Sequence, residues 1–468
     1  MVTAGMQTCA RCADLKQQIA QRDAEIADLR AKLAASRKDS TTSSKPPSSD
    51  IVKKPKPKPK HGRKRRRGGQ VGHAPHHRAP FTPEQIGDSH DYTLDQCPDC
   101  GGALAEADTA PRVIQQVEIK EVPLRIDEHR GLAYWCANCQ RVHYAALPQE
   151  VVRAGLLGPR LTALVAFLKG VCHASFSTIR KFFRDVVGLT ISRGQLAKVV
   201  QKVSASLEQT YDELFHALPQ ERQLNVDETG HPDQGARLWT WCFRARLYTV
   251  FHIDPSRGSD VLLDVLGQEF NGLLGCDYFS AYRKYMKNSH ALVQFCLAHL
   301  IRDVKFLVEH PDADNRRYGT LLLKHLRELF RIIHDRAYFA SDLGFRLVLA
   351  GQRDRLIAAA SKHLPATREA QNLAKRFADH ADSYFRFITE PSVDPTNNLA
   401  EQAIRFVAIH RRMTQGTRGE KGQHWCERLW TVATTCAQQS RSVFAFLLEA
   451  VQAHFRDDTF PSLLPEPP

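Results

Sequence analysis

The spacing of apolar positions changes period several times along the chain, and each change marks a candidate unit. Leu15, Ile19, Ile26, Leu29 and Leu33 recur at three- and four-residue intervals, with Arg22 the one polar intruder, which predicts a helix over 13–36 carrying the narrow stripe of a short coiled coil. Residues 155–222 are also helical in period. Leu161, Leu164, Val165 and Leu168 share one face, and Phe182, Phe183, Val186 and Val187 another. A helix opening at 175–179, a turn at 188–192 and a second helix opening at 193–200, rich in Gln, Lys and Arg, suggest helix-turn-helix. Ordinary helical packing explains the same pattern equally well.

From Gln223 the period shifts to strands. Segments 224–227, 238–243, 247–253 and 273–277 read as β-structure, and a further apolar run at 292–296 leads into a helix over 297–308. Three antiparallel strands followed by alternating helix and strand match an RNase H-like α/β core. Charged helical material over about 311–391 then separates Asp277 from the helix that carries Glu401.

Composition points to a class of partner only where charge is concentrated. With 468 residues, 43% of them hydrophobic, the chain is long enough for several domains. Its net charge is +14, from 65 Lys and Arg against 51 Asp and Glu. Residues 51–67 hold ten Lys or Arg and no acid, in Lys-Pro alternation that ends in Arg63, Lys64, Arg65, Arg66 and Arg67. Such a segment cannot bury a core and stays extended and solvated, so it is a polyanion-binding arm, with nucleic acid as its favoured partner. The apolar stretch 155–172 is interrupted by Arg160 and Lys169, and residues 1–16 have no signal-peptide pattern. The expectation is an intracellular protein with reduced cysteines and no membrane partner.

Two C-x-x-C pairs, Cys97/Cys100 and Cys136/Cys139, lie 35 residues apart. Four thiolates at this spacing complete a closed tetrahedral shell, which predicts one structural Zn²⁺ in a zinc ribbon over 90–147, its strands marked by Val113, Val117, Ile119 and Val122. Cys9 and Cys12 form a third such pair without a nearby mate.

Three carboxylates carry the candidate chemistry. Asp227 and Asp277 each end a short apolar run, and Glu401 opens a helical pattern, so acids from distant points in the chain can meet at a sheet edge. Hard anionic oxygens of this kind hold Mg²⁺, and a pair of Mg²⁺ ions about 3.5–4 Å apart is the usual apparatus for in-line attack on a phosphodiester. Each acid also has a plainer reading: Asp227 and Asp277 as turn residues, Glu401 as the far half of a capping box with Asn398 as N-cap. The run 416–422 is rich in Gly but lacks the Walker A order, and it reads either as a phosphate-facing loop presenting Arg418 or as a mobile surface loop.

Taken in order, these features resemble the DDE transposases of the insertion sequence 66 family. The resemblance runs through the N-terminal coil, Gly68-Gly69-Gln70-Val71-Gly72-His73 after the basic arm, the zinc ribbon, Val226-Asp227-Glu228-Thr229, Cys276-Asp277-Tyr278, Cys296-Leu297-Ala298-His299, and Asn397-Asn398-Leu399-Ala400-Glu401-Gln402-Ala403-Ile404-Arg405. It implies that Asp227, Asp277 and Glu401 are a catalytic triad binding two Mg²⁺ ions, and that the partners are terminal inverted repeats and target DNA. A homo-oligomer, small accessory proteins of the same element and a cytoplasmic, nucleoid-associated location are further expectations. Many DDE enzymes carry a basic residue seven positions after the Glu, where this chain has Ala408; Arg405 and Arg412 stand on the same helical face as alternatives. His299 reads either as a partner of the site or as a core histidine. The predicted organisation is a coiled coil at 1–36, a basic linker at 37–89, the zinc ribbon at 90–147, a helical DNA-binding domain at 150–222, the catalytic domain at 223–440 and a C-terminal helix and tail at 441–468. An RNase H-like nuclease without strand transfer shares this triad, and a non-catalytic zinc DNA-binding regulator shares the arm and ribbon.

Overall fold

The computed structural model describes residues 10–36, 80–86, 89, 99–100, 113–114, 124–136, 141–390 and 392–465. In chain order these form helix α1 (Ala10–Ser36), strands β1 (Ala133–Cys136) and β2 (Arg141–Tyr144), and helices α2 (Gln149–Ala154), α3 (Pro159–Ala166), α4 (Phe176–Phe182), α5 (Arg193–Ser206) and α6 (Glu208–Ala217). Then come β3 (Gln223–Asp233), β4 (Ala236–Arg244), β5 (Thr249–Asp254), α7 (Ser259–Leu266), β6 (Leu273–Cys276), α8 (Ser280–Asn288), β7 (Leu292–Phe295) and α9 (Leu297–Val308). Helices α10 (Ala313–His334), α11 (Asp342–Ser361), α12 (Arg368–Phe385), α13 (Asn398–Thr414), α14 (Glu420–Gln438) and α15 (Val443–Arg456) complete the chain. The protein is mixed α/β and rich in helix.

Helix α1 keeps Leu15, Ile19, Ile26, Leu29 and Leu33 exposed along its length. Strands β1 and β2 pair antiparallel, with Cys136 opposite Arg141. The arm bearing Lys64, Arg65, Arg66 and Arg67 lies outside the described residues, as do Cys97 and Cys139 of the expected zinc tetrad.

The helices of 149–217 share their core with the C-terminal helices. Leu196, Val199, Val200 and Val203 of α5 are buried where α5 packs on α3, α14 and α15, so the C-terminal helix is part of that bundle. The stretch Gln149–Val171 has the length and composition of a membrane-crossing helix. The backbone breaks between α2 and α3, however, with Gly155 at φ 67°, and α3 buries Ala163, Val165 and Ala166 in the bundle.

The central sheet runs β5-β4-β3-β6-β7, antiparallel on the β5-β4-β3 side and parallel across β3-β6-β7. Its edge at β5 is closed by side chains of α14. Thr435, Thr431 and Glu427 accept the backbone N–H groups of Thr249, Phe251 and Ile253 at 3.1, 3.0 and 2.7 Å. Helical residues four apart advance about 6 Å, close to the two-residue advance of a strand, so one stripe of α14 serves the whole edge. The opposite edge is held by Gln294, which donates to Tyr384 O and accepts from Phe387 N. The charged stretch 311–391 forms the helices α10, α11 and α12 between β7 and α13, as its period predicts.

Candidate functional site

Asp227 sits in the middle of β3 and not at its end. The sequence ends this strand at Asp227, yet it continues through His231 and Asp233, each of which is buried with partners. Thr240 Oγ1 meets His231 Nδ1 at 3.1 Å, and His231 Nε2 meets Thr417 Oγ1 at 2.9 Å. Thr417 Oγ1 in turn donates to Asp233 at 2.7 Å, which also accepts Gly419 N–H at 2.8 Å and Gln423 Nε2 at 3.1 Å. The glycine-rich run 416–422 is therefore docked on the β3–β4 hairpin; a Cβ on Gly416, at φ 90°, would lie 2.0 Å from Pro232 O. The mobile-loop reading fails on this contact, while Arg418 itself is exposed.

Residues 225, 227, 229 and 231 share one face of β3, the face on which α13 packs. Asp277 follows β6 directly, its Oδ1 accepting the Phe279 N–H at 2.8 Å. Glu401 lies in the first turn of α13, as expected. All three acids are half-buried, and the charges of Asp277 and Glu401 both act on Asp227, so strand, strand end and helix start bring their carboxyls into one neighbourhood. Burial, then the charges of Glu228, Asp277 and Glu401, push the Asp227 carboxyl well above the usual carboxylate range. Burial and the charge of Glu228 push Asp277 up to about 7, against the pull of the Phe279 N–H and the Arg257 guanidinium. The repulsion holds protons on the cluster at mildly acidic pH, and a divalent cation among these oxygens would relieve it. The donor set is hard oxygen, which fits Mg²⁺.

Glu401 is restrained by α9. His299 Nδ1 stands 3.5 Å from Glu401 Oε1, and Arg302 reaches Glu401 Oε2 at 3.4 Å and His299 Nε2 at 3.1 Å. A guanidinium only donates, so His299 Nε2 is the acceptor and the ring proton sits on Nδ1, which with Glu401 Oε1 has no hydrogen-bond partner among the described residues. Burial and Arg302 lower the imidazole pKa to about 4 and keep the ring neutral. Cys296 Sγ, His299 and Glu401 lie within 4.8 Å of one another, the spacing of a metal site. Burial lifts the Cys296 thiol to about 11, and its sulfur accepts the Asn397 N–H at 3.1 Å. Cys296 thus holds the residue that precedes α13, while His299 and Arg302 flank Glu401 itself.

The position before α13 has a partner that sequence reasoning missed. The N-cap is Asn397, not Asn398, and its side chain makes no cap hydrogen bond. Its Nδ2 donates to Val226 O at 2.8 Å and its Oδ1 accepts from Asn225 Nδ2 at 2.9 Å, in a site where Asn397 is 2% exposed. Forgoing a cap costs about 1 kcal/mol, and here the amide ties the Glu401 helix to the Asp227 strand instead. β6 is fitted to this contact, because a Cβ on Gly275 would lie 2.5 Å from Asn225 Nδ2.

Glu228 was also missed as a separate actor. It points to the opposite face of β3, where Arg257 bonds it at 2.6 and 2.9 Å and the Tyr282 hydroxyl at 2.5 Å. Arg257 is held in place by stacking on Trp239 at 4.6 Å and Phe279 at 4.0 Å. Of the two candidate DNA contacts on α13, Arg405 and Arg412 are both exposed.

An α/β core whose strands and one helix gather three carboxylates is the frame on which comparison with known proteins can be placed. The Transposase IS66 family matches residues 154–424, more than half of the chain and all of the strands and helices that bear these acids. The chain belongs to that family of transposases. A family of unknown function matches residues 4–79. Among curated proteins, "Uncharacterized protein y4hP" of Sinorhizobium fredii (strain NBRC 101917 / NGR234) is 23% identical over 382 residues, covering 73% of this chain and 67% of its own length. "Uncharacterized protein y4qI" of the same strain is 22% identical over 356 residues, covering 69% of this chain and 64% of its own length. The chain thus spans about two thirds of each relative.

Proposed function

We propose that this transposase cleaves DNA at the ends of an insertion sequence and joins them to target DNA, with Asp227, Asp277 and Glu401 as the ligands of two Mg²⁺ ions. The observation that carries the reading is the gathering of three acids from β3, the end of β6 and the start of α13, with the charges of Asp277 and Glu401 both acting on Asp227. The sheet order, with three antiparallel strands followed by two parallel ones and β3 at the centre, supports an RNase H-like core.

When bound, the ions would activate a water or 3′-OH oxygen for attack and stabilise the leaving oxygen. The chain supplies the rest. Asn397 fixes the distance between the Glu401 helix and the Asp227 strand. Arg302 holds the Glu401 carboxylate with His299 beside it, and Arg257 and Tyr282 engage the Glu228 carboxylate on the opposite face of β3. No side-chain nucleophile is needed, and the basic arm around Lys64, Arg65, Arg66 and Arg67 would supply affinity for DNA of any sequence.

The test is incubation of the full chain with duplex DNA carrying the element ends. Strand cleavage and joined products should appear with Mg²⁺ and vanish with chelator; cleavage without joining would select the nuclease reading, and neither product would reject both. For the N-terminal part we propose one structural Zn²⁺ on Cys97, Cys100, Cys136 and Cys139, and pairing of chains through the exposed stripe of α1. About one zinc per chain by metal analysis is the expected result for the first.

A further inference from the structure

A cleft of about 520 Å³ opens beside the β3–β4 hairpin, between Gly230–His231 on one side and the end of α13 on the other. Three guanidiniums line it, from Arg237 of β4 and from Arg411 and Arg412 of α13, and no carboxylate does. Among the described residues none of the three has an ion-pair partner. Arg411 is half-buried and anchored by one hydrogen bond, from NH1 to Thr229 Oγ1 at 3.2 Å. Its guanidinium pKa is lowered by burial and by Arg412, with no acid acting the other way. Asp233 of the hairpin is engaged by Thr417, Gly419 and Gln423. Arg237 stacks over Trp239 at 4.6 Å, which holds its charge at the rim.

Arg411 is partly desolvated beside a like charge and has no counter-ion, a cost that an anion bridging the guanidiniums would offset. The position selects the anion. Thr229 follows Asp227 by two residues on the same face of β3, so the Arg411 anchor lies about 7 Å along the strand from the acidic cluster. Duplex DNA carries one phosphate per about 3.4 Å of helix axis on each strand, so a separation of this order reaches a phosphate close to the one the acids address.

We infer that Arg237, Arg411 and Arg412 form a seat for a DNA backbone phosphate that flanks the scissile one. The seat rests on the proposed DNA chemistry of the acidic site and deepens it: it sets where the strand lies, while the acids act on it. Guanidiniums bind phosphate through two parallel N–H donors, so the seat reads the backbone and not the bases.

The test uses the full chain and a random-sequence duplex, with affinity measured across a salt series. The R237E/R412E double variant changes two exposed side chains and should fold with an unchanged melting temperature. Its affinity should fall about tenfold or more, and the slope of log K against log salt should drop by about one, the loss of one phosphate contact. D227N should leave affinity and slope as in the unaltered chain. If R237E/R412E binds DNA with unaltered affinity and slope, the seat is wrong, and the same holds if only chain association or melting changes, because the three arginines then serve a protein carboxylate or the fold. Loss of affinity in R237E/R412E from a protein that nevertheless shows no metal-dependent cleavage would keep the seat and reject the chemistry.

Discussion

The amide of Asn225 donates to the amide oxygen of Asn397 at 2.9 Å across 172 positions of sequence, and that contact joins the strand of Asp227 to the helix of Glu401. Removing either partner strands the other in a buried site, which costs about 1–3 kcal/mol. Asn397→Ala should therefore lower stability by that order and lower cleavage much more, by raising the Mg²⁺ concentration needed for half-maximal rate. Asn225→Ala should do the same, and the double variant should cost less than the sum. Single variants with normal metal dependence would make the pair a fold contact only.

Asp277 gives the metal-free protein a pH dependence of defined sign. Its folded pKa, about 7, lies above that of the unfolded chain, so between about pH 4 and 7 the native state holds a proton that the unfolded state has lost. This group's contribution makes stability fall as pH rises through that window and level off above it. Denaturant titrations in chelator, compared between the natural chain and Asp277→Asn, should show the variant gaining stability relative to the natural chain as pH rises from 4 to 7. A difference that does not vary with pH would remove the assignment.

A second pH effect has the opposite sign and another origin. His410 packs against Trp430 and sits with Nδ1 3.1 Å from Nδ1 of His173, and burial, then Lys169, lower its pKa to about 3. The unfolded chain takes up a proton near pH 6.5 that the native state refuses, so stability falls as pH drops from about 6.5 toward 3. His410→Gln should flatten that fall. An unchanged acid limb would show that His410 is not its source.

Much of the frame is legible in the sequence because burial writes it there. The apolar run at 292–296 and the amphipathic segment after it gave the bounds of α9 to the residue, and the strand starts fall within a few positions of their expected places. The reading erred where polar residues are buried. The expected strand stopped at Asp227, and its continuation through His231 and Asp233 depends on hydrogen bonds from Thr417, nearly two hundred positions away. Adjacent Asn397 and Asn398 are interchangeable as caps by pattern, and only the presence of Asn225 across the sheet separates them. Arg237, Arg411 and Arg412 converge through tertiary structure, and no local spacing announces it.

The central claim is that Asp277, with Asp227 and Glu401, holds the catalytic metal, and the most direct measurement is cleavage by Asp277→Cys in Mg²⁺ and in Mn²⁺. A thiolate is a poor ligand for Mg²⁺ and a better one for Mn²⁺. The account predicts no cleavage in Mg²⁺ and measurable recovery in Mn²⁺, with DNA affinity unchanged in both and no recovery for Asp277→Ala. Full activity of Asp277→Cys in Mg²⁺ would contradict it, because a ligand to that ion cannot be exchanged for sulfur without loss.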